Sequence, residues 1–185
     1  MGARKCKTRP GTLDIVNLDR QALMDRILIL MRHAKAVDRL EADDDFQRGL
    51  TPRGHEDSRR AAARLAALGL TAERALVSPA WRTRQTFDHL APLLGGPEMD
   101  DPMALYHAST EMLERAALAA LQQVSRIVMV GHNPGMGGLA HKLAARCGVR
   151  EALPMGYPTA TTAVFALADA SLNAPSLIEL INPSD

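Results

Sequence analysis

The stretch Ile27-Leu28-Ile29-Leu30-Met31-Arg32-His33-Ala34 indicates both the fold and the position of a site. Five apolar residues in a row, bounded by charged residues, are typical of a buried parallel strand and too short for a buried helix. In an open α/β sheet, ligands bind where the carboxyl ends of such strands meet the loops. Arg32 and His33 lie at that end, so they favour an anion site with a nucleophile or base; the alternative is a solvated basic loop.

Short apolar runs alternate with helical patterns along the rest of the chain. This alternation predicts βαβ units: a three-layer α/β/α sandwich with a mostly parallel sheet. The last two strands have no helix between them, so one of them is expected to run antiparallel. A turn is predicted at 100–102. The predicted strands are 27–31, 75–77, 125–130, 159–167 and 176–181, and the predicted helices are 51–68, 82–94, 110–123 and 136–147.

The domain organisation follows from length and local composition. Residues 25–185 are long enough for one domain with its own core. Residues 1–24 contain basic residues, proline and glycine without sustained apolar periodicity. We therefore predict that they form a mobile, non-catalytic N-terminal extension.

Composition excludes several classes of protein. Lys and Arg number 22 against 21 Asp and Glu, so no overall charge draws the chain to nucleic acid or to a membrane surface. No apolar run is long enough for a membrane helix, and no signal peptide is predicted. The two cysteines, Cys6 and Cys147, do not make a disulfide framework. A reducing, cytoplasmic location is expected.

Polar side chains follow three of the predicted strands. The first strand ends in Arg32 and His33, and the third is followed by His132 and Asn133. Ser78 follows the second strand, with Arg82 and Arg84 one turn later. Parallel strands bring these ends to one edge of the sheet, where arginines, histidines and helix N-termini together predict a phosphate site. For Arg84 the alternative is a solvent-exposed position on the helix.

Three ordered motifs carry a resemblance to a known family. Residues 30–36 resemble the Arg-His-Gly signature of the histidine phosphatase superfamily, also called the phosphoglycerate mutase-like fold. Residues 78–86 resemble its motif Ser-Pro-x-x-Arg-x-x-Gln-Thr, and 130–134 resemble its strand ending in Gly-His-Asn-Pro. Residues 50–54 match the start of its first helix. Small size and Leu105-Tyr106 point to the SixA-like phosphohistidine phosphatase branch.

The resemblance implies a role for each matching residue. His33 is the expected nucleophile, which is phosphorylated during turnover. Arg32, Arg82 and a protonated His132 are expected to hold the phosphoryl oxygens, with Asn133 as a further substrate-binding residue. The alternative for Asn133 and Ser78 is capping of the backbone at this edge of the sheet. No metal and no cofactor are expected, because the cationic side chains supply the positive charge. The sequence also lacks a cluster of carboxylates and histidines at metal-ligand spacing.

Two positions depart from the family pattern. Ala34 stands where relatives have glycine, which is tolerable if its φ is negative. Larger relatives carry a glutamate as general acid at the position that here is His107. His107 is therefore the candidate acid, with a solvated loop histidine as the alternative. Three other candidates for the acid are carboxylates: Asp38, Asp43 and Glu111.

The first hypothesis for function is a metal-independent phosphatase that acts on protein phosphohistidine through phospho-His33. An imidazole leaving group needs less protonation than an alkoxide, which suits a site without a carboxylic acid. The partner is then a phosphohistidine-bearing protein or a small phosphorylated substrate. The alternatives are a small-molecule phosphomonoesterase and a non-catalytic module that binds phosphate or a phosphoprotein.

Overall fold

The computed structural model describes residues 25–182, so the predicted extension at 1–24 lies outside the described residues. Within 25–182 the chain forms six strands and four α-helices. The strands are β1 Ile27–Arg32, β2 Arg74–Val77, β3 Glu98–Asp100, β4 Arg126–Gly131, β5 Thr162–Leu167 and β6 Pro175–Ile181. The helices are α1 Pro52–Ala67, α2 Trp81–Leu90, α3 Thr110–Leu121 and α4 Gly135–Arg146.

The strands form one sheet in the order β3-β2-β4-β1-β5-β6. The first four strands are parallel, whereas β5 runs antiparallel to both of its neighbours, β1 and β6. The predicted mostly parallel sheet with one antiparallel strand is confirmed.

The edge strand β3 was not predicted. It covers Glu98–Asp100 and so takes the first residue of the predicted turn at 100–102. The strand has three residues and pairs with β2 alone, so it is largely exposed. Apolar periodicity cannot reveal such a strand, because it has almost no buried face.

Helices cover both faces of the sheet, which gives the predicted three layers. Alternate residues of β1 point to opposite faces, as the pleat of a strand requires. Ile27 and Ile29 pack with α1 and α2, whereas Leu28 and Leu30 pack with α3 and α4. The core side chains that the helices contribute are Ala61, Leu65, Phe87 and Leu90 on the first face, and Leu113, Ala117, Leu139 and Leu143 on the second.

The centre of the sheet is where the site is built. β1 and β4 are hydrogen-bonded neighbours, and their last paired residues are Arg32 and Gly131. The helix after β1 packs on one face and the helix after β4 on the other. This divergence opens a crevice at the carboxyl ends of the two strands, the usual place for a ligand in such sheets.

The loop after β1 is held close to the start of α1. Thr51 caps the helix: its Oγ1 accepts a 3.1 Å hydrogen bond from the amide of Gly54 and donates one to the carbonyl of Lys35. A Cβ on Gly54 would lie 2.0 Å from that same carbonyl oxygen. Glycine is therefore required here, because α1 passes directly against the segment that carries His33. None of the described helices is long and apolar enough to cross a membrane.

Candidate active site

His33 follows β1 and is buried, with 8% of its surface exposed. Its Nδ1 lies 2.8 Å from the carbonyl oxygen of Ala34. A carbonyl oxygen only accepts hydrogen bonds, so Nδ1 carries the proton and donates it. The neutral ring therefore keeps its lone pair on Nε2. This tautomer leaves one nitrogen ready to attack an electrophile such as phosphorus.

The chain after His33 is held by the second motif. The amide of Ala34 donates a 3.1 Å hydrogen bond to Oγ1 of Thr86, and the amide of Leu50 donates a 2.7 Å bond to Oε1 of Gln85. The Gln-Thr pair of the motif thus fixes the backbone on both ends of the β1–α1 loop. Ala34 is buried and does not have a positive φ, so alanine replaces glycine here without backbone strain.

His132 follows β4 and faces His33, with ring centroids 5.0 Å apart in an edge-to-face arrangement. Nε2 of His132 lies 2.7 Å from Oγ of the buried Ser78, which follows β2. The ends of three neighbouring strands are thereby joined at one point. The sequence prediction that Ser78, His33 and His132 meet at one edge of the sheet is confirmed.

Arg82 lies at the start of α2 with only 5% of its side chain exposed. Its Nη1 donates a 2.6 Å hydrogen bond to the carbonyl of Asp45, and its Nη2 lies 3.1 Å from the Asp45 carboxylate. A guanidinium has five N–H groups. Two of those of Arg82 donate to Asp45, so three remain for a ligand. Nε has no hydrogen-bond partner among the described residues. Asp45 thus orients Arg82 while leaving it able to bind an anion.

Asp45 is itself held by three groups from different segments. The Tyr106 hydroxyl donates a 2.6 Å hydrogen bond to it, and Nε of Arg48 lies 3.0 Å from its other oxygen. The Tyr106 hydrogen bond is the main cause that lowers the pKa of Asp45 to about 2, and Arg82 and Arg48 lower it further. Asp45 is therefore an ionised anchor at neutral pH and has no proton to donate.

Arg32 enters the site from the end of β1. Its Nη1 donates a 3.1 Å hydrogen bond to the carbonyl of Tyr157. Tyr157 is fully buried, and its hydroxyl bonds the Leu30 carbonyl and the Ala163 amide at 2.8 and 3.0 Å. Asn133 holds the same segment, because its Nδ2 donates to the carbonyls of Gly156 and Tyr157. The loop before β5 thus positions Arg32, as Asp45 positions Arg82.

Burial and the arginines decide the protonation of both histidines. Burial lowers the pKa of His33 to about 3; its bond to Ala34 opposes this, and the neighbouring Arg82, Arg32 and Arg48 lower the pKa further. Burial also lowers the pKa of His132 to about 2, with His33 and Arg82 as further causes. Both imidazoles are neutral at pH 7 in this structure. This differs from the expected protonated His132, because burial beside cations disfavours a further positive charge.

His107 lies at the mouth of the site. It is exposed, and its ring centroid is 4.0 Å from that of Tyr106. Together with His132 it lines a cavity of about 220 Å³. Its role as a general acid stays a prediction.

The three carboxylates considered as acids are exposed. Asp38 accepts a hydrogen bond from the Leu40 amide, and Glu111 accepts one from the Ser109 hydroxyl, so both hold local backbone or side chains. Arg84, the possible second phosphate ligand, pairs instead with Asp101. The nitrogen and the oxygen of the Asn133 side-chain amide both hydrogen-bond backbone groups, so this residue stabilises the local backbone. Contact between Asn133 and a substrate stays a prediction.

Sequence reasoning missed three residues that organise the site: Asp45, Tyr106 and Tyr157. The acidic run 43–45 marked a loop that could line the site, but nothing in it distinguished Asp45 from its neighbours. Tyr106 was noted only within the Leu-Tyr segment, and Tyr157 carried no signal. Among residues 25–182, no group of three or more His, Cys, Asp or Glu side chains is arranged to hold a metal ion.

Comparison with known proteins agrees with this geometry. The family model "Histidine phosphatase superfamily (branch 1)" matches residues 28–105. An uncharacterized protein of Picosynechococcus is 35% identical over 122 residues, which cover 63% of this chain and 72% of that protein.

Solved structures extend the similarity to most of the chain. A structure named as a phosphohistidine phosphatase SixA from Agrobacterium tumefaciens aligns with a TM-score of 0.74 and 28% sequence identity. The alignment covers 85% of this chain and 98% of the SixA chain. A protein histidine phosphatase SixA complexed with tungstate has a TM-score of 0.70 and 25% identity, with coverages of 85% and 97%. A mycobacterial glucosyl-3-phosphoglycerate phosphatase shares the fold at a TM-score of 0.56 and 14% identity, with coverages of 83% and 97%. This chain belongs to the histidine phosphatase superfamily.

Proposed function

We propose that the protein is a metal-independent phosphatase that removes phosphate from protein phosphohistidine through a phosphorylated His33. The observation that carries the proposal is the tautomer of His33: the Nδ1 hydrogen bond to Ala34 leaves a neutral, nucleophilic Nε2 beside two arginines. Attack by Nε2 forms a bond to phosphorus as the bond to the leaving group breaks. Water then attacks phospho-His33 and releases inorganic phosphate.

Arg32 and Arg82 supply the positive charge for this reaction. The transition state of phosphoryl transfer spreads its charge over the equatorial oxygens, where fixed donors stabilise it. Asp45 holds Arg82, and the Tyr157 carbonyl holds Arg32. Both guanidinium groups are therefore oriented before a substrate binds. The related SixA structure is a complex with tungstate, a tetrahedral oxyanion of phosphate shape. This likeness supports oxyanion binding by this chain.

The proton needs of the leaving group favour a phosphohistidine substrate. Asp45 is the carboxylate in contact with the site, and it is ionised and held by Tyr106, Arg82 and Arg48. It therefore cannot protonate an alkoxide. An imidazole has a pKa of about 6.5 when free and leaves with much less help. A site with this arrangement is better suited to breaking a phosphorus–nitrogen bond than an alkyl phosphoester.

The short connection between α2 and β4 also favours a macromolecular substrate. Between α2 and β4 the chain forms β3, a short turn and α3, so this segment contributes no domain that covers the site. Two structures named SixA, one as a phosphohistidine phosphatase and one as a protein histidine phosphatase, each align with 85% of this chain. A phosphorylated histidine on another folded protein could therefore approach His33 directly.

The alternative is a small-molecule phosphomonoesterase of the same superfamily. One observation favours it: His107 shares a cavity with His132 and could protonate an alcohol leaving group. A substrate panel separates the two functions. We expect kcat/KM to be highest for a phosphohistidine-bearing protein, intermediate for phosphoramidate and lowest for sugar phosphates. The reverse order would replace the first proposal by the second, and oxyanion binding without any turnover would indicate a binding module.

A further inference from the structure

The hydroxyl of Ser78 has one hydrogen-bond partner among the described residues, and that partner is His132. Its Oγ lies 2.7 Å from Nε2 of the imidazole, and Ser78 has no exposed surface. No hydrogen bond is found for the other nitrogen of His132, Nδ1, among residues 25–182. Ser78 therefore occupies Nε2 and leaves Nδ1 as the ring nitrogen without a partner among those residues.

The direction of this hydrogen bond follows from counting donors. A neutral imidazole has one N–H and one nitrogen with a lone pair, and a hydroxyl has one hydrogen to donate. If Nε2–H donated to Ser78, the hydroxyl hydrogen would be buried without an acceptor among the described residues. Buried donors are almost always paired, and leaving one unpaired is unfavourable. If Ser78 donates to Nε2, both groups are satisfied.

We infer that Ser78 is a positioning residue, which donates a hydrogen bond to Nε2 of His132 and so keeps the imidazole proton on Nδ1, the nitrogen left to bind a phosphoryl oxygen. In this tautomer Nδ1–H is a hydrogen-bond donor toward an anion. In the other tautomer Nδ1 would present a lone pair, which repels a negatively charged oxygen. The inference rests on the proposed function for its chemistry.

The protonation state of His132 makes this choice of tautomer important. An imidazolium would donate from both nitrogens, so there would be no choice of tautomer to make. Burial, with His33 and Arg82 nearby, lowers the pKa of His132 to about 2, so a single proton has to be placed correctly. His33 and His132 then both carry the proton on Nδ1, but a different nitrogen of each ring faces the substrate. Nε2 of His33 is free to attack, and Nδ1–H of His132 is free to donate.

The tautomer can be measured directly by ¹⁵N NMR of the wild-type histidine side chains at pH 7, with the His132 signals assigned from His132→Asn. We expect a protonated Nδ1 and an unprotonated Nε2. A protonated Nε2, or an imidazolium with both nitrogens protonated, would overturn the inference. The measurement needs no substrate, so its outcome does not depend on whether the proposed function is correct.

The Ser78→Ala variant tests the consequence for anion binding. We expect the His132 signals to shift toward a mixture of tautomers and the affinity for inorganic phosphate to fall by roughly three- to tenfold, the worth of one hydrogen bond. Ser58→Ala is the matched control, because Ser58 is equally buried but bonds the Gly54 carbonyl within α1. An unchanged tautomer and unchanged phosphate affinity in Ser78→Ala would overturn the inference. An expected tautomer together with failure to turn over any phosphorylated substrate would instead overturn only the proposed function.

Discussion

Arg82 and Asp45 form a nearly buried ion pair that joins the start of α2 to the loop after β1. Nη2 of Arg82 lies 3.1 Å from the Asp45 carboxylate, and Nη1 lies 2.6 Å from the Asp45 carbonyl. Only 5% of the Arg82 side chain is exposed. A guanidinium so deeply buried needs a partner to hold both its charge and its orientation. Asp45 meets that need and keeps Arg82 directed toward the site.

The Asp45→Asn variant tests this role. The amide keeps the shape of the carboxylate but loses the charge-assisted bond to Arg82, so we expect kcat/KM for an aryl phosphate to fall by roughly 10- to 100-fold. Glu41→Gln is the matched control, because it removes the same charge from an exposed position of the same loop. Equal effects of the two substitutions would show that only the local charge matters.

A leaving-group series tests the role of His107. If His107 donates a proton, His107→Ala should slow alkyl phosphate hydrolysis by roughly 10²–10⁴-fold, the usual worth of general acid catalysis. It should hardly change the hydrolysis of phosphohistidine or of p-nitrophenyl phosphate, whose leaving groups need little protonation. The measurement is kcat/KM for each substrate with both enzymes. An equal effect on all substrates would assign His107 to binding or structure.

The buried neutral histidines make stability depend on pH. The pKa of His33 is about 3 in the folded protein and about 6.5 in an unfolded chain. Between these values the unfolded chain binds more protons, so the free energy of unfolding decreases as the pH falls. From pH 7 to pH 5 the loss is about 2 kcal/mol for one such histidine.

Urea unfolding of the wild type and of His33→Asn at pH 7 and pH 5 measures this loss. The variant should lose about 2 kcal/mol less than the wild type over that interval. Asp45 does not interfere, because its pKa is lowered to about 2 and it titrates below this range. An identical pH dependence of the two proteins would show that His33 is not held neutral by the fold.

Much of the site could be predicted because it lies at strand ends. Arg32 and His33, Ser78, and His132 each follow an apolar run, and parallel pairing must bring such ends together. The contacts that orient these residues were not predictable in the same way. Tyr106 and Asp45 are 61 residues apart and both lie in loops, where no periodicity relates one position to another.

Three further differences concern the burial of residues, which a sequence does not show directly. Tyr157 lies in the loop before β5, and its burial depends on how that loop folds under β1 rather than on any local pattern. The lowered pKa of His132 follows from the burial of its imidazole, which a sequence does not show. The edge strand β3 was missed because its three residues have no buried apolar face. The residue types at the strand ends could be predicted from the sequence, whereas burial and the contacts between distant loops could not.

Metal removal tests the assignment of positive charge to the arginines. We expect activity to be essentially unchanged after dialysis against EDTA, since Arg32 and Arg82 perform the role that a cation has in other phosphoryl-transfer enzymes. Activity before and after dialysis, and after adding back magnesium or zinc, is the measurement. Complete loss with recovery on adding metal would mean that the charge in the site comes from an ion.

The central claim is that phosphate passes through Nε2 of His33. Rapid-quench mass spectrometry of the wild type during turnover of p-nitrophenyl phosphate tests it most directly, with His33→Ala as the control. We predict a phosphoryl group that is labile in acid, stable in base and located on His33, and no turnover by a folded His33→Ala variant. Normal turnover by that variant, or wild-type turnover with no phosphorylated histidine at any time, would contradict the account.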